Sequence, residues 1–584
     1  MKKFITITIL CVLGCNIMYS QTYTKADYEK ECIFTYDLYE DNVLYQFHNG
    51  IARVDLFGDY TKTITYINAK GNDITPRLFD SNSRIFSEGY AAIRDRGTWV
   101  YINKEGKELN IKSQMPKLID AGFFSEGLAA VNNDGRYGYI NKQGMIVVNP
   151  KYEEAYPFSE GLARVKLNGK YGYINKQGAL VIPFKYVIAE DFSEGYAAVG
   201  INKEEYGFIN KQGSIMLPLD SYLRGFIEIA PFKNGYTNVK TKKDKKYIFI
   251  DKHGRNAIKP DMREPYDAIY DGLYVFSNNP LGKKGLKKLD GTIILEPTYD
   301  DILIYENGYF SVIKGDKWGV IDRNGKLIVP CKYDYIWDMS EDMFVVKIKG
   351  KGSVATKDGG KYGFVNNQGR EITPIIFDYT HGYHEGFATI AINGKLGYID
   401  KNGKPLKIDF SKRLILDLVE KLQSEAEFNK KAGSMEEAVK WLKRGSKYAE
   451  CCYSLGTIYY FGTTSINKNY DEAERWLEKA KTLAANSNGH EDDLLSQILN
   501  ALAYLRAVQK RYTEAQATID KAISLAPTNA NLYDSKGEIY LMMGKDDEAL
   551  KMWNKVIKQN PNFLVDYPQG TELSNKLKAK GKIK

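Results

Sequence analysis

Lys170-Tyr171-Gly172-Tyr173-Ile174-Asn175-Lys176-Gln177-Gly178 is the stretch on which the fold turns. Tyr171 and Tyr173 alternate along one face of an extended segment. Asn175 and Gly178 then supply a hairpin turn, because Asn bonds the local backbone and Gly adopts positive φ without steric cost. After the turn, Leu180-Val181-Ile182 reads as a second strand that Pro183 stops. Equivalent nine-residue segments end at Gly71, Gly106, Gly144, Gly178, Gly213, Gly254, Gly291, Gly325, Gly369 and Gly403, at intervals of 34–44 residues. Asn or Asp stands three residues before the closing Gly in every copy but one, where Lys288 replaces it. A third strand recurs in the pattern Phe158-Ser159-Glu160-Gly161-Leu162-Ala163-Arg164-Val165, with close copies starting at Phe86, Phe124 and Phe192. Lys151-Tyr152-Glu153-Glu154-Ala155 offers a short fourth. Each unit of about 35 residues is thus a three- or four-stranded antiparallel meander. Such a unit is too small to bury its own face, so neighbours must stack.

The copy Lys317-Trp318-Gly319-Val320-Ile321-Asp322-Arg323-Asn324-Gly325-Lys326-Leu327-Ile328-Val329-Pro330 resembles the WG (KWG) repeat, with Tyr in place of Trp in most other copies. The resemblance covers about residues 41–408, within a β domain read as 21–408. It departs from the pattern at Ile248, which replaces the third-position Gly, and at Lys284, which replaces the aromatic. It implies a β-rich array, propeller-like or an open superhelix, whose function rests on interaction. It brings no catalytic residues. Ten units exceed the four to eight blades usual in propellers, and the degenerate copies suggest a seam near 214–290.

From about Phe410 the hydrophobic period changes from two to 3.6, and Ala-, Leu-, Lys- and Glu-rich helices take over. In residues 410–485, Leu455-Gly456, Tyr459, Gly462, Ala473, Trp476 and Ala480 resemble a Sel1-like repeat, with Ala438 and Trp441 as a preceding half copy. In residues 496–563, Tyr533, Gly537, Tyr540, Gly544, Ala549, Trp553 and Pro561 resemble the tetratricopeptide pattern. These resemblances imply an α-solenoid of helix pairs whose groove binds peptides or partner helices. Trp441, Trp476 and Trp553 read as core. Residues 564–584, with Lys576, Lys578, Lys580, Lys582 and Lys584, read as a solvated basic tail.

Residues 1–20 pair Lys2 and Lys3 with an apolar run from Phe4 to Leu13, the pattern of an export signal. Two cleavage readings stay open. One leaves Gln21 first, as in signal sequences of Bacteroidota. The other lipidates Cys15 within Val12-Leu13-Gly14-Cys15, which resembles a lipobox. Localisation is therefore read as the periplasm, the outer membrane or the cell surface. Beyond the signal, Cys32, Cys331, Cys451 and Cys452 are too few and too scattered for a disulfide framework. A formal charge of +9 is modest for 584 residues, and for an exported chain it does not point to nucleic acid.

Five His leave little material for a His-rich metal centre. His381-Gly382-Tyr383-His384-Glu385 lacks the second His of a zinc helix, since Ala388 stands there. Ser311 and Lys314 copy a penicillin-binding spacing without its companion motifs. No catalytic, cofactor-binding or metal residues are expected, and no enzyme. Glu88, Glu126, Glu160 and Glu194 fall at one repeat position and are explained by the turn they occupy. The candidate ligand-binding series is the second position of each hairpin: Trp99, Tyr137, Tyr171, Tyr206, Tyr247, Trp318 and Tyr362. Buried, these rings are inter-unit core; exposed, they can stack on sugars or peptide side chains. The insertions 221–231 and 349–360 are further places for a specific site. The expected function is a non-enzymatic, exported protein–protein interaction scaffold of the cell envelope. The alternative is a glycan- or peptidoglycan-binding module that uses the Tyr/Trp series.

Overall fold

The computed structural model describes residues 23–32 and 46–583, apart from 58–62, 202–205, 218–225, 242–246, 256–271, 279–281, 305–307, 349–359, 429–431, 488–491, 564–570 and a few single or paired positions. The chain forms two compact units, residues 1–75 with 79–409, and 76–78 with 410–584.

Among the described residues, the first unit contains ten antiparallel sheets of three or four strands, each a meander in chain order. The sheet around the quoted stretch shows the design: β1 (Glu154–Ala155), β2 (Leu162–Leu167), β3 (Lys170–Asn175) and β4 (Leu180–Tyr186). Asn168 and Gly169 turn β2 into β3 with φ of 52° and 72°, the two-residue hairpin that matches strand twist. At the end of β3, Asn175 Oδ1 accepts from the amides of Gln177 and Ala179 at 3.0 and 2.9 Å, closing the expected turn. β4 departs from expectation, because it runs through Pro183 to Tyr186. The register slips between Tyr171, opposite Tyr186, and Tyr173, opposite Ile182. Pro183 sits in that bulge, on a strand that ends the sheet, where a missing N–H costs no ladder bond. The bulge also explains Gly172, since a Cβ there would lie 2.6 Å from the Ile182 carbonyl oxygen. The Lys-Tyr piece is divided between sheets, with Tyr152 ending the preceding one while Glu154 and Ala155 open this one.

Three side chains join this sheet to its neighbours. Tyr173 is fully buried and its hydroxyl donates to the Glu190 carbonyl at 2.7 Å. Ser159 Oγ donates to the Phe192 carbonyl at 2.7 Å. The Glu126 carboxylate accepts from the Gly161 amide at 2.9 Å and from Lys176 Nζ at 3.0 Å. The same carboxylate–lysine link recurs in Glu88–Lys142, Glu160–Lys211, Glu194–Lys252 and Glu341–Lys401, each at 3.1 Å. The stretch read as a seam, 214–290, continues the series with strands at 226–229, 236–241, 247–251, 273–276 and 284–288.

The two ends of the array meet. Glu385 accepts from the amides of Asn49 and Gly50 at 2.7 and 2.5 Å, in the manner of Glu126 with the following turn. The Phe47 ring lies 4.5 Å from that of Phe387 and 5.2 Å from that of Tyr398. Helix α1 (Lys25–Glu31), capped by Thr24, sets the Tyr28 hydroxyl 3.0 Å from the Gly403 carbonyl and buries the Tyr28 ring in the core of the last repeats.

The second unit is a series of antiparallel helix pairs: α2 (Lys412–Phe428) with α3 (Ala432–Arg444), α4 (Ala449–Phe461) with α5 (Tyr470–Ala485), α6 (Asp492–Val508) with α7 (Tyr512–Leu525), and α8 (Ala530–Met542) with α9 (Asp546–Gln559). Gly456 lets α5 approach, since a Cβ there would sit 2.6 Å from Leu477. Trp441, Trp476 and Trp553 are buried, as read from the sequence. Part of the segment read as a solvated tail is helical: α10 (Glu572–Ala579) buries Leu573 and Leu577. Lys580 and Lys582 pair with Asp546 and Asp547 at 2.5 and 3.1 Å. The leucines one turn apart turn this lysine-rich stretch into a lid on the last pair. Among the described residues no helix is long and apolar enough to cross a membrane.

Candidate functional site

The hairpin aromatics are spread one to a sheet. Trp99 is buried and donates from Nε1 to the Ile119 carbonyl at 3.1 Å, under the Arg84 guanidinium. Tyr137 is half-buried and its hydroxyl donates to Asp120 at 3.2 Å. Tyr171 is half-buried and bonds Glu154 at 2.6 Å, and burial together with that carboxylate pushes its hydroxyl up. Tyr206 and Tyr247 begin the strands 206–210 and 247–251, and their side chains lie outside the described residues. Cys15 and the insertion residues 221–225 and 349–359 also lie outside them. Most of the series therefore flanks the sheet cores, while the fully buried position is the fourth, occupied by Tyr101, Tyr139 and Tyr173.

Among the described members of the series, Trp318 and Tyr362 are brought together, through two residues that sequence reasoning did not single out. Ring centroids run Trp318–Tyr335 at 4.3 Å, Tyr335–Trp337 at 4.2 Å and Trp337–Tyr362 at 5.4 Å. Trp337 is 39% exposed. The signal was the alternation Tyr335-Ile336-Trp337, which places both rings on one face of the strand Tyr335–Ser340 and Ile336 on the other.

A second cluster lies in the helical unit. A cavity of about 480 Å³ is bounded by Tyr453, Thr457, Tyr460 and Phe461 of α4, Tyr470 and Leu477 of α5, Asn500, Ala501 and Tyr504 of α6, Lys468, and Glu572 at the start of α10. These residues meet because α4 and α6, the first helices of successive pairs, turn the same face inward, and α10 folds back across it. Tyr460 is the hub: its ring lies 4.8 Å from Phe461, 5.8 Å from Tyr470 and 6.3 Å from Tyr504. Phe461 is 67% exposed, a large apolar surface at the mouth.

Behind the rings stand carboxylates. The Tyr504 hydroxyl donates to Glu572 at 3.3 Å. Glu538 of α8 is only 9% exposed and is also hydrogen-bonded to Tyr504. Burial pushes Glu538 up to about 7 against the Tyr504 hydrogen bond, and Asp534 and Glu572 add to the rise. Burial likewise pushes Asp534 up to about 6, although the Thr571 hydroxyl donates to it at 2.8 Å. Asn500 Oδ1 is buried in the cavity wall without a hydrogen-bond partner. The wall therefore offers aromatic faces and acceptors, with Lys468 at the rim.

No group of His, Cys, Asp or Glu suited to a metal ion occurs among the described residues. The thiols of Cys32, Cys331, Cys451 and Cys452 are free, and burial pushes Cys32 and Cys451 up to about 12, where they pack rather than react. His384 faces the Phe47 carbonyl at 2.5 Å, and Ser311 is buried within a sheet.

Seven segments match a family model described as "WG containing repeat", at residues 64–99, 116–137, 137–171, 171–204, 285–318, 318–351 and 362–395. Residues 496–529 match a tetratricopeptide repeat model. Among solved structures, the chain is similar to one titled "Crystal structure of MamA", at 20% identity and a TM-score of 0.21, over 28% of this chain and 86% of that one. It is also similar to one titled "Crystal structure of APC/C hetero-tetramer Cut9-Hcn1", at 15% identity and a TM-score of 0.24, over 28% of this chain and 30% of that one.

Proposed function

We propose, for a chain that carries WG repeats followed by tetratricopeptide helices, a non-enzymatic role as an exported protein–protein interaction scaffold of the cell envelope. The aromatic cavity between α4 and α6 is the observation that carries this reading. Soluble proteins cover large apolar surfaces unless a partner uses them, and Phe461 stands open beside a hollow lined by four tyrosines. Export rests on the charge and apolar pattern of residues 1–20, and the Sel1-like reading of 410–485 supplies helices of the kind that line such a groove. The β unit is taken as a closed, propeller-like ring, a rigid body that presents loops and sheet faces.

The test is crosslinking in the native host, followed by affinity purification of the full-length protein and of a chain ending at Lys404. Partners that disappear with the helices support the reading. Partners that persist without them move recognition to the β unit.

A second reading has its own observation, the stack Trp318–Tyr335–Trp337–Tyr362 with Trp337 open to solvent. Stacked aromatics of this kind bind sugar rings, as the alternative of a glycan- or peptidoglycan-binding module requires. Binding to a glycan array or to isolated sacculi that falls with Trp337→Ala supports it, and flat results on both would sink it.

A further inference from the structure

The cavity in the helical unit differs from a plain apolar groove in the polar groups it presents. It offers two acceptors: Asn500 Oδ1, buried in the wall with no partner, and at the rim the exposed Glu572, which accepts from Tyr504 at 3.3 Å and is ion-paired to Lys576. Glu538 is buried beside Tyr504. Among the described residues, no cation is ion-paired to Asp534 or Glu538, both buried.

Two physical arguments then select the ligand. Ring faces carry a negative quadrupole that attracts cations, most strongly where water is excluded. An orphaned acceptor is satisfied only by a donor. Ammonium and guanidinium groups are donors only and positively charged. Lys468 is the one lysine in the lining. It is exposed at the rim. The volume, about 480 Å³, holds one long side chain with its neighbours.

We infer that this cavity receives a lysine or arginine side chain of a partner protein segment, with the cation held over Tyr460 and Tyr504 and bonded to Glu572 and Asn500. The inference rests on the reading of the helical unit as the protein-binding part.

The full-length protein is titrated by fluorescence anisotropy against labelled nine-residue peptide pools, random except for a central Arg, Lys, trimethyl-Lys, Leu or Glu. Two variants with exposed side chains keep the fold intact, Glu572→Gln and Phe461→Ala. The expected result is binding of the Arg and Lys pools at least tenfold tighter than the Leu and Glu pools. Glu572→Gln then weakens the basic pools by three- to tenfold and leaves the Leu pool unchanged, whereas Phe461→Ala weakens all pools together. Leu or Glu pools that bind as tightly as the basic ones overturn the cation site and leave the groove as a protein-binding surface. Absence of binding by every pool, with Phe461→Ala equally silent, overturns both the cation site and the groove reading.

Discussion

Gly172 and Gly161 look alike in sequence and answer to different physics. At Gly172 φ is ordinary and space is the constraint, since a Cβ would lie 2.6 Å from a backbone oxygen. At Gly161 space is open and φ is +87°, so the constraint is the backbone conformation. Gly172→Ala should therefore cost about 2–4 kcal/mol through overpacking against a bulged strand, and Gly161→Ala only about 1 kcal/mol of left-handed strain. Urea unfolding of the two variants checks the ranking, and equal costs would contradict it. The glutamates show how far one residue is readable. Glu88, Glu126, Glu160 and Glu194 have φ of 49°, 51°, 53° and 51°, so the turn inferred for them is real. Their second role, gripping the next turn and a lysine, was invisible because its partners lie 35–58 residues away in sequence, as in Glu126–Gly161 and Glu194–Lys252. Burial would raise Glu88, but the hydrogen bonds from Lys142 and the amides of Gly127 and Glu126 outweigh it and hold the carboxyl low. Glu341 is held low in the same way by Lys401 and Gly386. For a depressed carboxylate the stabilisation is full above its unfolded value and is lost as pH falls through the folded one. The β unit should thus lose stability below about pH 4.5, and Glu88→Gln should flatten that acid limb in thermal melts.

At the scale of elements, the strands of the hairpin were legible because alternation and turn chemistry are local. The end of β4 was not, because Pro183 reads as a stop unless a bulge on an edge strand is known to receive it. In the helical unit the pairs were legible from their periodicity, and α10 was not, because its lysines outweighed Leu573 and Leu577 in composition. The cavity was legible only in part: a groove was expected, but its carboxylates come from α8 and α10, elements whose meeting depends on the whole unit. Those carboxylates carry a measurable cost. Glu538, pushed up to about 7, holds a proton in the folded state that it releases when unfolded. A raised pKa gives stability that is full below the unfolded value near 4.5 and is lost as pH rises through about 7. Asp534, at about 6, acts in the same direction. Glu538→Gln should therefore stabilise the helical unit at pH 8 by about 2–3 kcal/mol and flatten its pH dependence between pH 5 and 7. Circular dichroism melts at 222 nm across that range read the effect, and a variant as pH-sensitive as the parent would rule out this assignment.

For the whole β unit the question is whether the meeting of its ends makes it behave as a ring. Sequence fixes the number of repeats but not the angle between neighbours, and a few degrees per repeat separate a closed ring from an open spiral. That is why closure was left open at that level, and why it rests on contacts between residues more than three hundred positions apart, such as Glu385 with Asn49 and Gly50. The contacts are of the same kind as those inside the array: a carboxylate on turn amides, and an aromatic core that joins Phe47 to Phe387 and Tyr398. In an open array the terminal repeats have one neighbour each and fray first, so protection falls toward both ends. In a ring every repeat has two neighbours. Native-state hydrogen exchange should then find the amides of Ile51–Phe57 and Phe387–Ile392 as protected as those of Leu162–Leu167. Phe47→Ala tests the junction directly. It removes a ring that is 1% exposed and should cost about 3–5 kcal/mol. In a ring that cost converts the first and last sheets together into fast-exchanging ends while the middle of the array keeps its protection. If protection in the parent protein already declines from Leu162–Leu167 toward both termini, and Phe47→Ala changes only the strands beside it, the ends touch without closing the unit.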